Sequence, residues 1–266
     1  MHQDKKTAIV TGAYGAIGQA ICEGIAIKGF DLTLVGRERQ SLQKIQSLLI
    51  QRTANQDISY HVTDLSSQRE IFEFSRSWKG PLHLLVNNAA TAPRKRTETP
   101  VGIEMQWAAN VLGYFWMISY FHPFMAGNIN ARIVNVASYW AGGMDLSDPE
   151  FKRRPYNNDV SYRQAKQANR MLTVAFSERL KPEGITVNAC HPGDVNSKLS
   201  NAFGFGGSES PHEGAATPLF LSLSEQVKEI SGRYFEHLCE VRCQFSQDKK
   251  QVEALYSACE KSLLIF

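Results

Sequence analysis

The sequence predicts an α/β domain: a doubly wound, mostly parallel sheet of seven strands flanked by helices. Three observations carry that prediction. Short β-branched or apolar runs alternate with helix-period segments along the whole chain. One of those runs, Leu82-His83-Leu84-Leu85-Val86, is nearly all apolar, as a strand is when both faces of a parallel sheet are covered. No linker or internal repeat divides the 266 residues, so the chain reads as one domain, 1–266.

Composition narrows the function classes. An apolar fraction of 43% and a charged fraction of 21% suit a folded core. The formal net charge of +3 is too small to argue for nucleic acid. Arg94-Lys95-Arg96 and Lys152-Arg153-Arg154 fall in predicted loops and read as solvated charge rather than a phosphate site. The polar opening Met1-His2-Gln3-Asp4-Lys5-Lys6 shows no signal peptide. No apolar run approaches the ~20 residues that span a bilayer, so no transmembrane anchor is expected. The run Tyr114 to Phe121 ends at His122-Pro123 and reads as buried helix. Cys22, Cys190, Cys239, Cys243 and Cys259 show neither a paired Cys-x-x-Cys zinc spacing nor a disulfide framework. Reduced thiols in a cytoplasmic protein without a bound metal are expected.

Thr7-Ala8-Ile9-Val10 is the first strand. It runs into Thr11-Gly12-Ala13-Tyr14-Gly15-Ala16-Ile17-Gly18 and then a helical pattern through Lys28. Strand, glycine-rich turn and helix is the context in which a backbone can approach a pyrophosphate at a helix N-terminus. Asp31-Leu32-Thr33-Leu34-Val35 is the second strand. Where a carboxylate would bond the ribose of NAD, the chain has Gly36 and Arg37, and a guanidinium there can grip a 2′-phosphate. NADP(H) is therefore preferred to NAD(H), the alternative being an exposed loop charge. A helix over roughly Gln40 to Gln51 follows, then the strand Ile58 to Val62 and Asp64-Leu65. Asp64 is either a polar loop residue or, at a strand's C-terminal end, a contact for adenine. Ser67 and Glu70 form a capping-box pair that starts the next helix.

The strand Leu82 to Val86 ends in Asn87-Asn88-Ala89-Ala90, where carboxamides can tie neighbouring turns and small side chains leave room for a ligand. Thr99-Pro100 reads as N-cap and first helical residue of a long helix. That helix carries Asn110 among Trp107, Val111, Leu112 and Phe115, which stands equally as a structural hydrogen bond or as part of a site. Arg132 to Val136 is a strand ending at Ala137-Ser138, and residues 139–158 form a loop. The next helix holds Tyr162 and Lys166 and runs to about Leu180, where Pro182-Glu183-Gly184 stops it. Residues at i and i+4 share a helix face, so an ammonium at Lys166 is placed to favour the phenolate of Tyr162. Taken alone, such a pair is most often a solvated edge with the lysine stem on the ring.

Ile185 to Cys190 is a further strand, leading to His191-Pro192-Gly193. Residues 194–211 are rich in Gly, Ser and Asn, with Phe203 and Phe205 between them. That composition suits a flexible substrate flap with apolar teeth as well as a plain surface loop. A helix near Ala215 to Leu223, a strand near Tyr234 to Leu238 and a tail helix over about 247–263 complete the chain.

Taken together, the Thr11–Gly18 turn, Asp64-Leu65, Asn87-Asn88-Ala89-Ala90, Asn110, Ser138, Tyr162 with Lys166, and Pro192-Gly193 resemble the short-chain dehydrogenase/reductase family, in its order, over roughly residues 7–243. The long loop before Tyr162 and the Gly232-Arg233-Tyr234-Phe235 stretch with its tail helix resemble the retinol-dehydrogenase-like branch. The resemblance implies a Rossmann-type fold and an oxidoreductase moving a hydride between NADP and an apolar aldehyde, ketone or alcohol. It implies Tyr162 as general acid/base, Ser138 on the substrate oxygen, Lys166 tuning the phenol and holding the nicotinamide ribose, and Asn110 anchoring a water. It assigns the cofactor to Gly12, Tyr14, Gly15, Ala16, Ile17, Gly18, Arg37, Asp64, Leu65, Asn88, Ala89, Ala90, Tyr162, Lys166, Pro192, Gly193 and Val195. The substrate is expected at Ser138, Trp140, Tyr162, Phe203 and Phe205. Many members of that branch carry an N-terminal anchor and this chain shows none before its first strand, so a soluble relative is expected, and analogy suggests a homodimer or homotetramer through the Asn110 and Tyr162 helices.

Two positions depart from the family pattern. The glycines Gly12, Gly15 and Gly18 are spaced as in the longer epimerase and dehydratase relatives, and Ala90 replaces the usual glycine after the paired asparagines. An epimerase or dehydratase on the same fold, or a silent NADP-binding sensor or scaffold, are the alternatives.

Overall fold

The computed structural model describes residues 5–204 and 206–264. One sheet runs in the order β3-β2-β1-β4-β5-β6-β7-β8. Its strands are β1 (Thr7–Thr11), β2 (Asp31–Gly36), β3 (Ile58–Val62), β4 (Leu84–Asn87), β5 (Arg132–Val136), β6 (Thr186–Cys190), β7 (Tyr234–Glu236) and β8 (Cys239–Val241). Every neighbouring pair is parallel except the hairpin of β7 with β8. This is a single-domain Rossmann-type α/β fold. The strand order reverses between β1 and β4, and a doubly wound sheet binds its ligands outside the carboxyl ends of the strands at such a point.

The seven-stranded expectation is corrected by that hairpin. His237 and Leu238, predicted as strand, have φ of 47° and 66° and turn the chain back on itself. Two consecutive positive φ values are what a two-residue hairpin turn requires. Neither residue type advertises such a turn.

Helices cover both faces. α1 (Ala16–Ile27), α2 (Arg39–Thr53) and α7 (Pro211–Leu223) lie over one apolar cluster. α3 (Gln68–Ser77), α4 (Gly113–Phe121), α5 (Asn158–Leu180) and α8 (Lys249–Glu260) enclose the other. A six-residue helix, α6 (Lys198–Phe203), lies in the segment expected to be a flap. Ser67 caps α3 through the Glu70 amide, but the Glu70 carboxylate accepts from the Asp64 amide rather than closing the box on Ser67.

The long helix does not begin at Thr99-Pro100. Thr99 instead closes a turn, its hydroxyl accepting from the Ile103 amide, with Gly102 at φ 82°. Helix starts later as a π-turn, Trp107–Leu112, and the buried Glu104 carboxylate caps it by accepting from the Gln106 and Trp107 amides. The sequence signal was real turn chemistry attached to the wrong element.

α8 continues as a tight turn, Lys261–Leu264. Tyr256 packs edge-on to Phe115 and Phe176, and Trp116 Nε1 donates to Ser262 Oγ at 2.7 Å. The tail thus covers part of the face of α4 and α5 through which pairing was expected. No helix among the described residues is long and apolar enough to cross a membrane.

Candidate active site

On the β1 side, backbone meets backbone. Gly12 turns the chain at φ 66°, and a Cβ there would stand 2.8 Å from the Ala89 Cα. A Cβ on Gly18 would drive into the Gly12 carbonyl oxygen and come within 2.8 Å of Asn88 Nδ2. Asn88 ties the two turns together: its Nδ2 donates to the carbonyls of Thr11 (3.0 Å) and Gly12 (3.3 Å), while its amide donates to Thr11 Oγ1 (2.9 Å). α1 begins at Ala16 with no side-chain cap and no acidic residue in its first turn, leaving its amide end suited to a phosphate.

The Tyr14 ring occupies the space a Cβ on Gly36 would need, which explains that glycine. Arg37 follows it, exposed at the end of β2. Asp64 Oδ1 accepts from the Ser66 amide and hydroxyl, and Leu65 is buried beneath. Ile17 and Ala89 are half-buried and Ala90 is exposed, and Ile17 also lines the cavity beside Tyr162. These residues fit a dinucleotide phosphate.

On the β5–β6 side, side chains make the site. α5 is capped by Asn157, whose side chain accepts from the Val160 amide, and one turn later presents Tyr162. The Ser138 hydroxyl lies beside the Tyr162 phenol, close enough to favour its ionised form. Ser138 Oγ is oriented by accepting from the Trp140 amide at 3.0 Å. Lys166 is almost fully buried and donates to the Val136 carbonyl at 2.8 Å, with its Nζ 5.6 Å from the centre of the Tyr162 ring. Asn110, fully buried in the π-turn, accepts from the Thr91 amide and donates to the Thr91 carbonyl, each at 2.8 Å. That pins the loop after β4 to the helix.

The direction expected for the phenol is reversed. Burial pushes the Tyr162 hydroxyl well above its ordinary value, and the neighbouring Ser138 hydroxyl offsets this only in part. Burial also pulls Lys166 down, to about 7, against the opposing effect of the Cys190 thiol. Desolvation penalises the charged form of each group and dominates at both. A protonated phenol is the right form for donating a proton.

Ser138, Trp140, Tyr162 and Phe203 line one cavity of about 210 Å³, together with Pro192, Gly193 and Val195. Gly193 turns the chain there at φ 107°. Val195 bridges to Glu209 and closes the base of the 194–211 segment. Phe205 lies outside the described residues. A cavity of about 650 Å³ at the opposite end of the strands, beside Lys6, Lys28 and Arg132, contains none of the expected site residues.

Two residues escaped the sequence reading. Tyr114, one turn beyond Asn110, donates its hydroxyl to the same Val136 carbonyl that Lys166 uses. Its i,i+4 spacing from Asn110 was the available signal. His191, just before Pro192, is buried on the cavity wall, edge-on to Tyr139 with ring centres 4.5 Å apart, and burial pulls it down to about 4. The clusters expected as solvated loop charge are partly structural, since Arg96 donates to the Glu150 carbonyl and Arg154 to Gln164 Oε1.

The family model described as short chain dehydrogenase matches residues 6–204. A "Probable oxidoreductase" of Streptomyces antibioticus is 33% identical over 258 residues, covering 89% of this chain and 86% of its own. Human retinol dehydrogenase 13 is 30% identical over 253 residues, 88% of this chain and 76% of its own. A solved short chain dehydrogenase from Burkholderia cenocepacia, in complex with NADP, has a TM-score of 0.69 at 20% identity, covering 87% of this chain and 95% of its own. At that identity the likeness is one of fold.

Proposed function

From the premise that the chain belongs to the short chain dehydrogenase/reductase family of oxidoreductases, in its retinol-dehydrogenase-like branch, we propose that it exchanges a hydride between NADP(H) and an apolar aldehyde or ketone, or the corresponding alcohol. The observation that carries the reading is the Ser138 hydroxyl beside the Tyr162 phenol on the wall of a mostly apolar cavity.

NADPH, when bound, supplies the hydride. The chain's own part is the proton and the geometry. A substrate carbonyl oxygen set against both hydroxyls accepts the Tyr162 proton as its carbon receives hydride. The C=O π bond breaks, C–H and O–H bonds form, and the carbonyl is reduced to an alcohol while the dinucleotide is oxidised. Ser138 stabilises the charge that develops on that oxygen. Lys166 and Tyr114, converging on the Val136 carbonyl, hold the floor beneath the phenol, and Asn110 fixes the loop above. Gly12, Gly15, Gly18 and the first turn of α1 would hold the pyrophosphate, Arg37 the 2′-phosphate, and Pro192 to Val195 the nicotinamide end.

The test is NADPH oxidation and NADP reduction over a panel of aldehydes, ketones and alcohols, with Tyr162→Phe beside the native protein. Turnover consuming NADPH in step with carbonyl is expected. Tyr162→Phe should retain NADPH binding and lose at least about a hundredfold in turnover. Cofactor returned unchanged would favour the epimerase or dehydratase alternative. Tight NADPH binding without turnover would favour a sensor.

A further inference from the structure

The cavity beside Tyr162 is small and its mouth is walled by rings. Pockets for drug-sized ligands hold roughly 300–1,000 Å³, and this one holds about 210 Å³. It also touches Ile17 and Gly193, part of the proposed cofactor groove, so the share left to substrate is smaller still. Trp140 and Phe203 meet edge to face, with centres 5.3 Å apart and planes at 81°. Phe203 lies 4.9 Å from the Tyr162 ring, and Trp140 lies 6.0 Å from it. Three rings therefore converge on the phenol that would meet the carbonyl.

Phe203 is well anchored. It is the last residue of α6, which carries a capping box between Ser197 and Ser200 at one end and Gly204 at φ 88° at the other. Ser200 Oγ fastens the helix to its own base by donating to the Val195 carbonyl at 2.8 Å. A flat ring entering this space can pack against aromatic edges and faces. A long chain finds too little volume beside them to be enclosed.

Resting on the hydride-transfer reading above, we infer that the site selects compact, single-ring aromatic aldehydes and ketones over long polyene or alkyl ones, with Trp140 and Phe203 setting that selection. The reduction is the one already balanced; only the class of carbonyl compound is narrowed.

The experiment compares kcat/KM with NADPH for benzaldehyde and acetophenone against retinaldehyde and decanal, in the native protein, Phe203→Leu and Phe203→Ala. The native protein should favour the aromatic pair about tenfold or more. Phe203→Leu, which keeps bulk and loses the ring, should raise KM for benzaldehyde about tenfold with kcat little changed. Phe203→Ala should shift the ratio about tenfold toward retinaldehyde, and if that variant does not fold Phe203→Leu carries the test. Native preference for retinaldehyde or decanal, or a ratio unmoved in folded variants, overturns the inference and leaves hydride transfer standing. No turnover of any carbonyl by the native protein overturns the reading beneath it.

Discussion

At the β1 end of the groove the shape is fixed by main chain against main chain: Gly12 lies on Ala89, Gly18 on the Gly12 carbonyl, and Asn88 laces the two turns. At the β5–β6 end it is fixed by side chains far apart in sequence: Ser138 on Tyr162, Lys166 and Tyr114 on Val136, Phe203 on Trp140. The first arrangement admits almost no substitution and carries little titratable charge. The second buries a lysine and a phenol and is tunable by pH and by side-chain size. One end suits a ligand that never changes, the other a substrate that can.

The largest effect expected from breaking this contrast is on the rigid side. Gly18→Ala puts a methyl into a carbonyl oxygen that cannot step aside, because Asn88 Nδ2 donates to it and the turn amide of Gly15 donates to it at 3.0 Å. Overpacking of this kind costs about 1–3 kcal/mol, and the displaced turn should also lose its cofactor. A fall in Tm with NADPH affinity reduced roughly a hundredfold, on the scale of about 1.4 kcal/mol per decade, is the expected result from calorimetry. A variant with native affinity would show that the turn is looser than its contacts imply.

The same contrast governs what could be read from sequence. Glycine turns declare themselves locally, because a positive φ or a close approach excludes other residues, and so Gly12 and Gly18 were legible. The parallel strands were legible for a related reason, being apolar on both faces. Ser138, Tyr162 and Lys166 were identified by resemblance, and their contacts, which span up to 30 residues, were not visible in spacing alone. Tyr114 and His191 were hidden because a buried aromatic or imidazole looks like ordinary core. The β7–β8 hairpin was hidden because His237-Leu238 forms a left-handed turn without glycine or asparagine. The balance at Tyr162 was misjudged in sign because burial cannot be weighed before packing is known.

A second prediction sharpens the side-chain end. Lys166, lowered to about 7 by burial, binds fewer protons folded than unfolded between about pH 7 and its unfolded value near 10.4. Its contribution to stability therefore rises with pH across that window, by at most about 1.4 kcal/mol per pH unit, and falls as pH drops toward 7. Tyr162 and the buried thiols of Cys22, Cys190 and Cys259 are shifted upward and work the other way, since their unfolded forms ionise within this window while their folded forms do not. Urea unfolding at pH 7.5 and 9.5 should therefore show stability gaining more, or losing less, with pH in the native protein than in Lys166→Met. Equal slopes in both proteins would mean that the ammonium is solvated and the buried site is not as dry as its geometry.

The smallest effect separates cofactors rather than folds. Arg37 is exposed beside Gly36, where the Tyr14 ring packs, so replacing it disturbs no core contact. Its proposed work is one charge-assisted bond to a 2′-phosphate, and bonds to charged groups are worth about tenfold or somewhat more in affinity. Arg37→Asp should weaken NADPH by at least about tenfold, through loss of the cation and added repulsion, and leave NADH within about twofold, since NADH has no phosphate to lose. Dissociation constants for both dinucleotides decide it, repeated at raised salt, where the NADPH difference should shrink as screening grows. Equal losses for the two cofactors would place Arg37 outside the phosphate site. Any preference for NADPH would then have to come from the rigid turn, the part of the groove that can least be adjusted to tell two dinucleotides apart.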